Sequence, residues 1–131
     1  MPKLPVPAEL AYLLEGTAVA SLATVDAKGR PQVNPVWFIW DETNILIGVR
    51  EDTAKYRNLR QNPNLAISIL DPNGPFRYLE LRGFVIEFHH YVDLSFVNQL
   101  SRKYTGKDFP PETMGDSRYR LTMEVSSWNG R

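Results

Sequence analysis

The chain has no cysteine, so disulfides, thiolate metal sites and cysteine nucleophiles are all excluded. It has no excess charge either: fifteen Lys and Arg balance fifteen Asp and Glu. General nucleic-acid binding needs a broad basic surplus, so any anion site here must be local. No apolar run approaches the ~18 residues of a membrane span. The opening "MPKLPVPAEL" is too rich in proline to read as a signal peptide, and the expected location is the cytoplasm. There is no Gly-rich phosphate loop and no nucleophile elbow around Ser21, Ser68 or Ser95. The adjacent His89 and His90 face opposite ways on a strand, and no metal-site spacing surrounds them.

What is there is an ordinary globular composition, 43% apolar over 131 residues. A chain of this length makes one domain, burying roughly 65–70% of its unfolded surface. Pro7 and Gly16 bracket a short helix, "PAELAYLLE", with Leu10, Leu13 and Leu14 inward. Six strand-like runs follow, joined by tight turns: "TAVASLATV", "RPQVNPVWFIW", "ILIGVR", "NLAISIL", "RYLELRGFVIEFHH" and "RYRLTMEVSSW". The fifth run changes phase, from Leu79 and Leu81 to Phe84, Ile86 and Phe88, which predicts a bulge at Arg82–Gly83. A helix over "DLSFVNQLSRKYTG" is capped by Asp93 and ended by Gly106, with Leu94, Val97, Leu100, Lys103 and Tyr104 along one side. Short strands with turn signals favour a six-stranded, mainly β barrel with three peripheral helices.

Three places carry candidate chemistry. The first is "REDTAKYRNLRQNP", a helix from about Thr53 to Gln61 with Asp52 or Thr53 as N-cap. Lys55, Asn58 and Leu59 share its packed side, while Arg57 and Arg60 point to solvent. Unpaired N–H groups, the Thr53 hydroxyl and the Lys55 ammonium suit a phosphate or carboxylate; the alternative is a lysine that only lies along the barrel wall. The second is "PQVNPVWFIW", apolar on both faces, which calls for a helix or a second subunit over the outer one. Gln32 and Asn34 edge that surface, either as partners for the rim of a planar heterocycle or as plain strand-edge polarity. The third is Tyr78, beside Glu80 and Arg82, which lines a ring pocket or merely buries its body.

The ordered set "SLATVDAKGRPQVNPVWF", "TAKYRNLRQNPNLAISIL" and "RYLELRGFVIE", from about Thr17 to Phe88, resembles the pyridoxamine 5′-phosphate oxidase-like split β-barrel superfamily. The helix "VNQLSRKYTGKDFP" extends the match. "PVWF" and "KYRNLRQNP" are most similar to small members that use the deazaflavin coenzyme F420; related members bind FMN. The resemblance implies a homodimer with the cofactor in a cleft between subunits, transferring a hydride to a small molecule with no catalytic side chain named. It implies a phosphate site at Thr53, Ala54, Lys55 and Asn58. It places the ring against Gln32, Val33, Asn34, Pro35 and Val36, with Phe76 and Tyr78 beside it. Thr53 stands where many members carry arginine, and Ala54 has no charge, so a non-catalytic flavin carrier is the alternative. The segment that true pyridoxamine-phosphate oxidases place over the pyridoxal ring has no counterpart before Arg131, which argues against that specific activity. Haem, bound by some split barrels, is disfavoured for want of an axial histidine motif.

Overall fold

Every strand of the protein pairs antiparallel with its neighbours in one sheet, in the order β2-β1-β5-β6-β7-β4-β3. The strands are β1 (Ala20–Val25), β2 (Pro31–Val36), β3 (Phe38–Trp40), β4 (Ile45–Arg50), β5 (Asn64–Leu70), β6 (Tyr78–His90) and β7 (Arg118–Gly130). The helices are α1 (Ala8–Glu15), α2 (Ala54–Gln61) and α3 (Ser95–Thr105). The structure is a computed structural model and describes residues 5–74, 76–91, 93–111, 115 and 117–131.

The expected six strands are seven, because the second run breaks at Trp37. The break has a topological cause. β2 and β3 are the two edges of the sheet, yet only Trp37 separates them in the chain. Val36 pairs with Ala20 on β1, whereas Phe38 pairs with Ile47 on β4. One residue spans at most ~3.6 Å, so the sheet has to curl until its edges meet. The fold is thus a split β-barrel with its seam at Trp37.

The curl is helped by two irregularities in the β6–β7 ladder. Between Arg82 and Gly83 the register skips Ser126, so the extra residue lies on β7. Between Val85 and Glu87 it skips Ile86, so this second bulge lies on β6. The expected bulge at Arg82–Gly83 is there, but β6 itself changes phase one bulge later. Val85 is buried and Ile86 is 50% exposed, which corrects the placing of Ile86 on the packed side. A Cβ on Gly83 would overlap the Glu124 carbonyl oxygen, so the close crossing requires glycine.

The barrel core is built from alternate residues of the strands, among them Leu22, Ile47, Ile67, Leu81, Leu121 and Met123. Leu10, Leu13 and Leu14 of α1 and Tyr56 and Leu59 of α2 close it. A smaller cluster, Tyr91, Phe96, Val97 and Leu100, packs α3 over Trp37, Ile39 and Leu46 on the outer face. α3 therefore covers part of the apolar outer face of the second run, while Val33 stays 63% exposed. Among the described residues no helix is long and apolar enough to cross a membrane.

Candidate functional site

α2 begins immediately after β4, and its N-terminus is fixed twice. Thr53 Oγ1 accepts from the Tyr56 amide at 3.4 Å and donates to the Arg50 carbonyl at 2.7 Å. The capping thus falls to Thr53 rather than Asp52. Asp52 instead takes Arg50 in a two-point ion pair, Nε–Oδ1 and Nη2–Oδ2 both 3.1 Å. Arg57 reaches back to the Asp52 carbonyl. Arg60 departs from its expected solvated role. It is exposed, but its guanidinium lies 4.0 Å from the Phe88 ring centroid and its Nε donates to the Tyr56 hydroxyl at 2.9 Å.

The packed side of α2 divides in two. Asn58 is 8% exposed and donates Nδ2 to Thr24 Oγ1 (3.1 Å) and Gln32 Oε1 (3.3 Å). This amide braces the helix against β1 and β2. Lys55 instead lines a cavity of about 410 Å³. Burial lowers its ammonium pKa below the ordinary value. Among the described residues no carboxylate oxygen lies within 4.0 Å of it. With no counter-ion among the described residues, a half-desolvated cation of this kind has the chemistry to take an anion.

Pro35, Val36 and Trp37 bring the seam of the barrel to the same cavity, opposite Val97 and Leu100 of α3. Trp37 is held flat by Tyr104, with ring centroids 4.9 Å apart and planes 10° from parallel. Tyr104 in turn accepts from the Phe38 amide at 3.3 Å, and Lys103 donates to the Phe38 carbonyl at 2.8 Å. Gly48 leaves space: a Cβ there would stand 3.0 Å from Leu100 Cδ1 and narrow the cavity. An apolar, flat-walled space that holds an ammonium with no carboxylate partner among the described residues suits a planar anionic ring system.

The remaining expected residues are distributed around this cavity. Gln32, Ala54 and Asn58 line an open groove of about 500 Å³, with Arg30 and Arg57, next to the first turn of α2. Asn34 is half-buried on β2, and Val33 faces outward. Phe76 is 77% exposed, and the Tyr78 hydroxyl accepts from Asn129 at 3.3 Å. Neither lines the cavity or the groove in this chain. His89 and His90 are both exposed, and no cluster of metal ligands occurs among the described residues. Sequence reasoning missed Arg118, the second cation at the cavity. It becomes visible only when strand order sets it opposite Arg50.

Residues 6–126 match the pyridoxamine 5′-phosphate oxidase family. The chain belongs to that family. Among solved structures it is similar to one described as an F420 reductase, at 34% identity and a TM-score of 0.89, covering 95% of this chain and 98% of that one. HupZ from Group A Streptococcus shares the fold at 19% identity and a TM-score of 0.71, over 96% of this chain and 94% of that one. General Stress Protein 26 from Bacillus anthracis does so at 13% identity and 0.71, over 93% and 90%. The two distant likenesses speak for the fold alone.

Proposed function

We propose that this family member is an oxidoreductase that binds coenzyme F420, with FMN as the alternative cofactor, in the cavity between Lys55 and the barrel seam. The observation that carries this reading is Lys55: a half-buried ammonium without a carboxylate partner among the described residues, at an apolar cavity walled by Trp37. Similarity to an F420 reductase at 34% identity supports the choice of cofactor. Lys55 and the first N–H groups of α2 hold the phosphate, while the Thr53 hydroxyl, whose proton goes to the Arg50 carbonyl, fixes the start of that helix; Pro35, Val36 and Trp37 support the ring. When bound and reduced, the cofactor supplies a hydride, so the chain needs only to bind, orient and exclude water. Asn58 and Gln32 act by fixing α2 against β2.

A homodimer belongs to the same reading. Val33 is 63% exposed and Val19, at the cavity, 45%, so an apolar surface adjoins the site. A second copy covers it and brings Phe76 and Tyr78 to the cofactor from the other subunit. The acceptor is a small molecule.

Titrating the protein separately with F420 and FMN tests the proposal, with tryptophan fluorescence as the signal. Lys55→Ala weakens the preferred cofactor by about ten- to a hundredfold, the worth of one charge-assisted contact. No uptake of either cofactor, or equal affinity in the folded variant, refutes it. The absence of a cation at Thr53 and Ala54 favours a second reading, a non-catalytic flavin carrier. Reoxidation of the reduced, bound cofactor by a panel of acceptors separates the two.

A further inference from the structure

The β1–β2 ladder runs in unbroken register from Val25–Pro31 to Ala20–Val36 and stops there. Continued past Val36, the same register sets Ala18 opposite Phe38. Those two residues are joined instead through a side chain of α3. The Tyr104 hydroxyl accepts from the Phe38 amide at 3.3 Å and reaches the Ala18 carbonyl at 3.4 Å.

A hydroxyl has a single proton to give. The Phe38 carbonyl, also 3.4 Å away, already has the Lys103 ammonium at 2.8 Å, so the proton of Tyr104 goes to Ala18. Burial raises the phenol pKa above its ordinary value, which keeps that proton in place. Tyr104 thus stands as a spacer between β3 and the approach to β1. It satisfies one polar group on each rim and prevents the direct pairing that would shut the seam there. The ring that carries this hydroxyl is the one stacked on Trp37. Trp37 lines the cavity and Tyr104 does not, so the tyrosine backs the wall rather than forming it.

We propose that Tyr104 is a positioning residue for the ring site: its hydroxyl sets the width of the seam, and its ring thereby holds the Trp37 indole at the angle on which the cofactor ring rests. The inference rests on the reading that the cofactor occupies this cavity. The two functions of the side chain are separable. Tyr104→Phe keeps the stacking ring and removes the spacer, leaving Phe38 to pair with Ala18 directly. Tyr104→Leu removes both.

Two measurements decide the matter. On the unloaded chain, the Trp37 indole N–H resonance, assigned with Trp37→Phe, moves in Tyr104→Phe, whereas that of Trp128 stays. In titrations, F420 is compared with its phosphate-free deazaflavin ring, or FMN with riboflavin where FMN is the cofactor that binds. Tyr104→Phe weakens both members of the pair by the same factor, about three- to tenfold, the worth of one neutral hydrogen bond. Tyr104→Leu weakens both by about ten- to a hundredfold, since the stack is lost as well. The ratio of the two affinities reports the phosphate; it keeps its wild-type value in both Tyr104 variants and falls in Lys55→Ala. General loosening of the fold lowers that ratio in Tyr104→Phe too, and overturns the proposal. An unmoved Trp37 resonance also overturns it, as does wild-type affinity for both probes in Tyr104→Phe. Should wild type bind neither cofactor, the oxidoreductase reading falls. The resonance of the unloaded chain then still upholds or removes the hold of Tyr104 on Trp37.

Discussion

On α2, Asn58 turns to Thr24 and Gln32 while Lys55, three residues earlier, turns to the cavity. Their shared side of the helix was legible from 100° geometry alone; their different fates were not, because they depend on which strands lie opposite. Lys103 makes the same point on α3. Its side chain reaches the Phe38 and Leu14 carbonyls and lies 3.7 Å from the Phe38 ring centroid. Burial nevertheless pushes its ammonium down to about 8 from the ordinary 10.5. Between those values the unfolded chain binds the proton and the folded one does not, so this group's contribution to stability rises with pH across that window. Below about pH 8 both states carry the charge, and the folded state bears its desolvation. The expected outcome is that denaturation midpoints of wild type, taken relative to Lys103→Met, climb from pH 8 to 10.5; a flat difference removes the shift.

At the scale of elements, the ends of the helices and the tight turns were readable because each is set by a local residue. Asp26 accepts from the Lys28 and Arg30 amides, as short polar side chains do beside turns. The expected Asp93 cap of α3 falls one residue short, since the N-cap is Leu94 and Asp93 accepts only from the Ser95 amide and hydroxyl ahead of it. The phase change of β6 was readable too, but not its bookkeeping. A phase change in one strand does not reveal that the partner strand has its own extra residue, Ser126, before Ile86 loops out. The break at Trp37 left no local signal, having neither glycine nor proline at the break itself. Gly83 is the element-scale test. Gly83→Ala forces the β6–β7 crossing apart and is expected to cost about 1–3 kcal/mol, as overpacking does. A lower urea midpoint with an unchanged slope confirms it, while an unchanged midpoint shows that the crossing tolerates a methyl group.

The whole molecule was legible as a mainly β barrel from turn spacing, and as this family from the order of its motifs. Arg118 was not, since only strand order sets the start of β7 beside the end of β4. The outer surface carries the prediction at this scale. β2 is an edge strand with Pro31 and Pro35, whose missing N–H groups discourage edge-to-edge pairing. Association is therefore expected through the exposed face around Val33 rather than by sheet extension. Wild type should sediment as a dimer and Val33→Asp as a monomer with weakened cofactor uptake. A wild type that stays monomeric at high concentration contradicts the dimer.

Trp37 is the one residue that stitches the two rims of the curled sheet, and it also walls the cavity proposed to hold the cofactor. Prising the cylinder apart and opening that cavity are consequently a single movement. A tightly held guest acts as a rivet through that stitch, so how well the protein keeps its shape and how well it keeps its guest are two measures of one quantity.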